Sequence, residues 1–431
     1  MCIRDRKYVV EKGHYNKIEI NDDISEKIYH SFIDQLDSQK RFFLKSDIKI
    51  FQNYKFKLDD QIKNYDLTFF NLVFETSKLR FNEIKEYYEE IISNPFDFKS
   101  KEILDLDFDK KEYSKNKNEV KQRWRKQLKF STLDIALLKL GDSLENINDR
   151  VYNESLAIVK KNTEDFFEFY NDMDRDDWFA SYINSFLNQL DPHTFYFKPD
   201  DKERFDINIS GKFNGIGARL TKTEGAIKIV EIIIGGPIWK DKLLDIGDII
   251  LKVSQENSEP IDIVGMPLDN AIKLIMGPAK SYVTLTVKKI DGSIKDVRIM
   301  RDLVELEEVY AKSTLINKEN INYGYISLPK FYVDFTDYKN RNSADDVKNH
   351  IIKLKNNGMQ GLILDLRNNG GGSLQTVVDM TGLFIEKGPV VQVKSIGNRK
   401  QVLYDRNPEI IWDGPLVCLL YTSDAADDVR G

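Results

Sequence analysis

The sequence predicts a multidomain α+β protein: an N-terminal helical domain, then a small β domain, then the start of a layered α/β core. Three observations predict it. Before Leu190 glycine and proline are almost absent, and apolar residues recur at helical spacing. From Phe205 the texture changes to short β-rich runs punctuated by glycine. Beyond Asp302, strands and helices alternate, which argues for a layered sheet. A chain of 431 residues suggests two to four domains at about 150 residues each. With 41% hydrophobic residues it has enough apolar material for packed cores. The net charge of -6, with Lys and Glu interleaved, argues against nucleic acid or an anionic membrane as partner. No apolar run reaches the roughly 18 residues of a transmembrane helix, and no signal peptide is visible at the start.

Taken in order, residues 1–20 read as a disordered or foreign N-terminus, and 418–431 as a foreign tail. Met1-Cys-Ile-Arg-Asp-Arg6 and Leu420 to Gly431 resemble translated adaptor sequence, and the two cysteines, Cys2 and Cys418, lie in or beside these ends. The rest contains no cysteine, which excludes zinc-thiolate sites, a cysteine nucleophile and a disulfide framework. Residues 21–204 form the helical domain. Ile24, Ile28, Phe32 and Leu36 mark one face, and Leu79, Ile84, Tyr88, Ile91 and Ile92 another; such faces pack inward. Lys99 to Lys121 reads as a loose connector. A helix over Phe179–Leu190 runs into Asp191-Pro-His-Thr, a turn, in which His193 reads as structural. His14, His30 and His350 are equally isolated, so a histidine-based triad has little support, and metal-site spacing is absent.

Within 205–301, Phe213-Asn-Gly-Ile-Gly-Ala-Arg-Leu220 is a glycine turn entering a strand, Ile227 to Ile234 alternates, and Asp245-Ile-Gly-Asp-Ile-Ile250 turns into another strand. Leu268, Ile272 and Ile275 line a helix that ends at Gly277, and Val283 to Val287 is a strand. In 302–417, Ile321 to Tyr332 is a strand meeting a proline turn, and Ser343 to Leu354 is a helix with Ser343 as its N-cap. Gly361 to Leu366 is a buried strand, Asn368 to Gly372 a turn, Leu374 to Phe384 a helix closed by Gly388-Pro389, and Val390 to Val393 a second strand.

Glycines 370 to 372 place bare N–H groups beside a helix N-terminus, where an anion or a developing oxyanion can be held. A dinucleotide turn would need a third glycine where Gln375 stands, and the second strand ends in Lys394 rather than an acid. A phosphate loop would need Gly-Lys-Ser/Thr where Gly372-Ser373-Leu374 stands. An oxyanion hole for acyl transfer remains, beside the plainer reading of a tight turn that needs positive φ.

The Gly215-Ile216-Gly217 loop, the Gly235-Gly-Pro through Gly247-Asp-Ile-Ile block and the helix ending at Gly277 resemble a PDZ domain over 205–301. The resemblance implies capture of a terminal carboxylate by the N–H groups of Gly215, Ile216 and Gly217. The substrate would add as a strand, with its last side chain between Ile216 and the Leu268 and Ile272 face. With the helical segment, Leu190-Asp-Pro-His-Thr, Gly324-Tyr-Ile-Ser-Leu-Pro-Lys-Phe and Leu364-Asp-Leu-Arg-Asn-Asn-Gly-Gly-Gly-Ser, the chain resembles the tail-specific, or carboxy-terminal processing, serine peptidases. That family uses a Ser–Lys dyad, and its PDZ domain recognises substrate C-termini. The resemblance implies that 302–417 is a partial peptidase core and that the backbone N–H groups of Gly371 or Gly372 form part of the oxyanion hole. It also implies no cofactor, protein or peptide substrates with apolar free C-termini, an adaptor protein as a further partner, and a periplasmic location for the intact parent. In the family, Gly-Pro-Leu-Val leads into S-A-S-[AS]-[AS]-E. Here Gly414-Pro-Leu-Val417 matches and the pattern stops: the nucleophile position falls on Ala426, and Ser423 does not fit. Nucleophile and general base are therefore expected to be absent and the fragment inactive. The alternative is a non-catalytic scaffold that binds C-terminal peptides.

Overall fold

The computed structural model describes residues 14–15, 19–140, 147–223, 225–395 and 399–421. The expectations for residues 1–13 and 422–431, including Ser423 and Ala426, lie outside the described residues. Two compact units divide the chain at Lys198/Pro199.

The first unit is helical: α1 (Asp22–Asp37), α2 (Lys45–Phe51), α3 (Leu58–Asn64), α4 (Thr68–Ile92), α5 (Lys117–Leu140), α6 (Asp149–Asp172) and α7 (Arg175–Leu187). Asn21 starts α1 by accepting from the Ile24 N–H at 3.3 Å, with Asp22 and Asp23 at the positive end of the dipole. Ile24, Ile28 and Phe32 are buried as their spacing predicts, in a cluster with Phe69, Phe70, Trp178 and Tyr182. Leu79 departs from expectation and is 53% exposed. The buried stripe of α4 is Phe81, Ile84, Tyr88 and Ile91, spaced three, four and three, and Leu79 lies roughly 140° around the helix from Ile84. The Lys99–Lys121 connector ends earlier than expected, because α5 begins at Lys117. The helix expected over Phe179–Leu190 starts instead at Arg175, where Asp174 and Asp177 cap each other's N–H groups at 2.9 Å.

The second unit opens with α8 (Pro199–Ser210) and β1 (Lys212–Gly215). A small sheet follows: β2 (Ala218–Thr223), β3 (Ala226–Ile232), β4 (Ile249–Gln255), β5 (Ile261–Asp262), β6 (Tyr282–Lys288) and β7 (Ile294–Met300), with α9 (Pro237–Asp241) and α10 (Leu268–Ile275). Its order is β2-β3-β4-β6-β7, with β5 on β4, so β2 lies at one end, with no strand of the described residues on its outer side. The alternating Ile227, Ile229, Ile250, Val253, Leu285, Val287 and Ile299 fill its core. The outgoing strand β8 (Asp302–Glu305) pairs antiparallel with incoming β1, which makes a two-stranded neck.

The rest comprises β9 (Lys312–Lys318), β10 (Ile321–Ser327), α11 (Ser343–Asn356), β11 (Gly361–Asp365), α12 (Leu374–Thr381), β12 (Gly388–Ser395), β13 (Arg399–Asp405) and β14 (Leu416–Leu419). The main sheet runs β14-β11-β10-β9, parallel except for the β9–β10 hairpin. The strand after the glycine turn's helix does not join it. β12 pairs with β13 as a separate ribbon, and β14 takes the place beside β11. Cys418 and Leu419, read from sequence as foreign, stand opposite Leu364 and Asp365 in that pairing. Asn342, not Ser343, caps α11: its side chain accepts from the Asp345 N–H at 3.0 Å, and Ser343 is the first helical residue. α12 ends at Thr381 rather than Phe384, and α10 at Ile275 rather than Gly277.

Candidate functional site

β11 delivers the chain to a turn in which Asn368 (φ 63°), Gly371 (φ 95°) and Gly372 (φ 145°) are left-handed. The turn is pinned by Phe331, which follows the Leu328-Pro329-Lys330 bend after β10. The Phe331 N–H donates to Gly371 O at 3.0 Å, and its carbonyl accepts from the Ser373 N–H at 2.9 Å. Glycine is required at 372 because an added Cβ would strike the Phe331 carbonyl oxygen and lie 2.8 Å from its carbon. Ser373 then caps α12 by accepting from the Thr376 N–H at 3.3 Å.

The two proposed oxyanion donors sit differently. The Gly371 N–H donates at 2.9 Å to Asn369 Oδ1, and the Asn369 amide donates to Leu328 O at 2.9 Å. The Gly372 N–H has no partner among the described residues, and Gly372 is exposed. At the strand end Asp365 is buried, with Arg367 Nη2 at 2.7 Å, Arg367 Nε at 3.0 Å and the Tyr325 hydroxyl at 2.5 Å. The guanidinium, aided by the hydroxyl, holds this carboxyl well below the usual carboxylate range.

The other glycine turn joins β1 to β2. Gly217 has φ 84°, and a Cβ there would lie 3.0 Å from Gly236 Cα, so two backbones meet with no side chain between them. The Gly217 carbonyl accepts from Ile233 at 2.9 Å and the Ile216 carbonyl from Ile238 at 3.1 Å. The N–H groups of Ile216 and Gly217 have no partner among the described residues, although both residues are buried. Gly215 lies opposite Asp302 in the β1–β8 pairing. Ile216 and Leu268 belong to one apolar cluster, and half-buried Ile272 is one turn further along α10.

Sequence reasoning missed Arg301. It is 2% exposed and caps the C-terminus of α10, donating from Nε to Ile275 O at 2.7 Å and from Nη2 to Leu274 O at 3.1 Å and Gln255 Oε1 at 2.7 Å. Burial lowers its pKa. A Cβ added at Gly277 would lie 3.0 Å from the guanidinium carbon, so a side chain there would press on Arg301. The signal was present: Arg301, just past β7, continues the alternation of Val297 and Ile299.

A cleft of about 500 Å³ is lined by Arg204 of α8, Phe213 of β1, Ala218 and Arg219 of β2, Ile233 and Lys330 among others. It runs from the first residues of β2 to the residue preceding Phe331. A larger cavity of about 800 Å³ in the helical unit, beside Phe98, Ile103 and Phe130, adjoins neither glycine turn. Elsewhere, His193 is exposed, and its N–H donates to Asp191 Oδ1 at 2.7 Å within the expected turn. No cluster of metal-ligating side chains occurs among the described residues.

Residues 8–200 match the tail-specific protease N-terminal domain, and residues 322–427 match peptidase family S41. The chain belongs to the tail-specific proteases of that family. It is 30% identical over 420 residues to a tail-specific protease of Haemophilus influenzae, an alignment covering 96% of this chain and 58% of that one. It is 31% identical over 238 residues to the carboxy-terminal processing protease CtpA of Bacillus subtilis, covering 55% and 47% respectively. A crystal structure of the PDZ domain of a carboxy-terminal protease from Vibrio cholerae in complex with peptide aligns over 22% of this chain and 99% of its own, at 38% identity and a TM-score of 0.22. The chain spans about half the length of the curated relatives it matches. In this tail-specific protease chain the glycine turn at 370–372 falls inside the S41 match, while the turn at 215–217 falls between the two matched segments. Among the described residues no helix is long and apolar enough to cross a membrane.

Proposed function

We propose that this chain carries the tail-gripping module and the oxyanion-stabilising turn of a serine-type endopeptidase. The carrying observation is a pair of turns in the same compact unit whose main-chain amides lack partners among the described residues, with a cleft whose lining includes Ala218, next to the first turn, and Lys330, next to the Phe331 that pins the second. A substrate's terminal carboxylate accepts from the N–H groups of Ile216 and Gly217. Its backbone adds to the open side of β2 in the manner of a PDZ ligand, and its last side chain, apolar, packs on Ile216, Leu268 and Ile272. The scissile carbonyl then lies at the 370–372 turn. Gly372 is the donor to the oxyanion as charge develops, and Gly371 contributes only if its bond to Asn369 is exchanged.

In the family's dyad chemistry a neutral lysine, its pKa lowered by burial, takes the serine proton as the hydroxyl oxygen attacks. No S-A-S-x-x-E pattern occurs in the 431 residues, so this chain grips tails without cutting them. The intact parent is exported to the periplasm and works with protein substrates, with an adaptor as a further partner.

The test is fluorescence anisotropy with peptides ending in an apolar residue, as free acids and as amides. Tighter binding of the free acids is expected, and equal affinity would overturn the gripping role. Hydrolysis of these peptides by the purified chain, abolished by a serine-directed reagent, would overturn the inactivity. A second reading, a non-catalytic C-terminal-peptide scaffold, is favoured by the Gly371 amide being already bonded. It gains ground if restoring a Ser–Lys dyad downstream of Val417 yields no cleavage.

A further inference from the structure

If the tail is gripped as proposed above, strand geometry dictates where the residue before the last must point. Successive side chains of an added strand alternate between faces. The last one packs with Ile216 and Leu268, on the face where Ala218 and Leu220 also join the apolar cluster. The penultimate one therefore projects to the face of exposed Arg219, which together with Ala218 lines the 500 Å³ cleft at the start of β2.

The walls of that cleft are of two kinds. Phe213, Ile233, Leu306 and Val309 are apolar, and around them stand Arg204, Arg219 and Lys330, with Glu308 the one carboxylate among the described lining residues. The cations are not equally available. Arg204 is held by Asp201 at 2.5 Å and Asp269 at 2.7 Å. Arg219 is held by Glu231 at 3.2 Å and by Glu308. The Lys330 ammonium is held only by neutral oxygens of Asn208, the carbonyl at 3.2 Å and the side-chain amide. Its positive charge has no carboxylate partner among the described residues.

We infer that this cleft is a specificity subsite for the penultimate residue of the substrate tail, and that Lys330 makes it prefer an acidic side chain there. The aliphatic stem of a glutamate matches the apolar walls, and its carboxylate replaces the Asn208 oxygens on Lys330 as a charge-assisted partner. The substrate class becomes polypeptides ending in an acidic residue followed by an apolar one.

The experiment uses the whole 431-residue chain and three free-acid peptides that differ only in a penultimate Glu, Gln or Lys. Wild type should bind the Glu peptide about threefold to tenfold tighter than the Lys peptide, with Gln between, and the gap should shrink as salt is added. Lys330→Gln should remove the discrimination, and Lys330→Glu should reverse it while the preference for free acid over amide persists. Glu308→Gln, which removes the competing carboxylate, should widen it. Equal binding of the three peptides by wild type, or an unchanged order in Lys330→Glu, overturns the subsite while leaving tail gripping intact. Equal binding of acids and amides overturns tail gripping itself.

Discussion

The turns at 215–217 and 370–372 both follow a strand, both contain left-handed glycine and both leave main-chain amides unpartnered among the described residues, yet their surroundings differ. The first is buried, packs backbone against backbone at Gly236 and has two adjacent N–H groups, those of Ile216 and Gly217, without partners among the described residues. A buried amide without a partner costs about 1–3 kcal/mol, and a carboxylate bound as proposed would relieve that cost. The second is open to solvent, has one N–H already satisfied by Asn369 and offers Gly372 alone. Water can solvate that amide in the resting state. On the proposed reading the first turn holds a permanent carboxylate, and the second meets a charge that appears only during reaction.

The contrast breaks most severely at Gly372. Gly372→Ala must move the Phe331 backbone and hold an L residue at φ 145°, which predicts a loss of about 3 kcal/mol or more in the second unit. Urea unfolding followed by Trp412 fluorescence, with the other tryptophans replaced, reads it; an unchanged midpoint would mean that the Phe331 bridge yields freely. Gly217→Ala is next. It must push against Gly236 Cα at 3.0 Å with φ 84°, for about 2 kcal/mol, and it also turns the two free amides away from the incoming carboxylate. Anisotropy should show tail binding weakened at least tenfold, and wild-type affinity in a destabilised protein would separate the turn from the grip.

Asp365→Asn should cost less, about 1–2 kcal/mol, because its partner Arg367 is half exposed and water replaces part of the pair. Its pH dependence carries a sign. The folded-state pKa is depressed, so the carboxylate contributes stability above its ordinary pKa of about 4, and that contribution is lost as pH falls through the depressed value. The stability gap between wild type and Asp365→Asn should be constant from about pH 5 to 8 and close below about pH 4. A gap that widened in acid would contradict the assignment.

What could be read beforehand follows from how local each feature is. Glycine clusters at strand ends announce both turns, because left-handed φ and close backbone approach leave a compositional trace. Buried stripes such as Ile24, Ile28 and Phe32 are legible because helical periodicity is local. The loss of the Gly371 amide to Asn369 was not legible, since it depends on Asn369 also being tied to Leu328, 41 residues earlier. Nor was the departure of β12 from the main sheet, which is decided by β14 occupying the side of β11. Arg301 reads as an ordinary surface charge until its position just past β7 is set against the C-terminus of α10.

The smallest effect tests the comparison from inside one turn. Gly370 sits two residues before Gly372, but its φ is not left-handed and an added Cβ meets nothing within 4 Å. Alanine can therefore adopt the native backbone there, and its narrower freedom in the unfolded chain should stabilise the protein by about 0.4–1 kcal/mol. Gly370→Ala and Gly372→Ala are thus expected to shift the urea midpoint in opposite directions. If both destabilise to a similar degree, the whole turn needs glycine for flexibility, and the rigid Phe331 contact that orients the Gly372 amide loses its support.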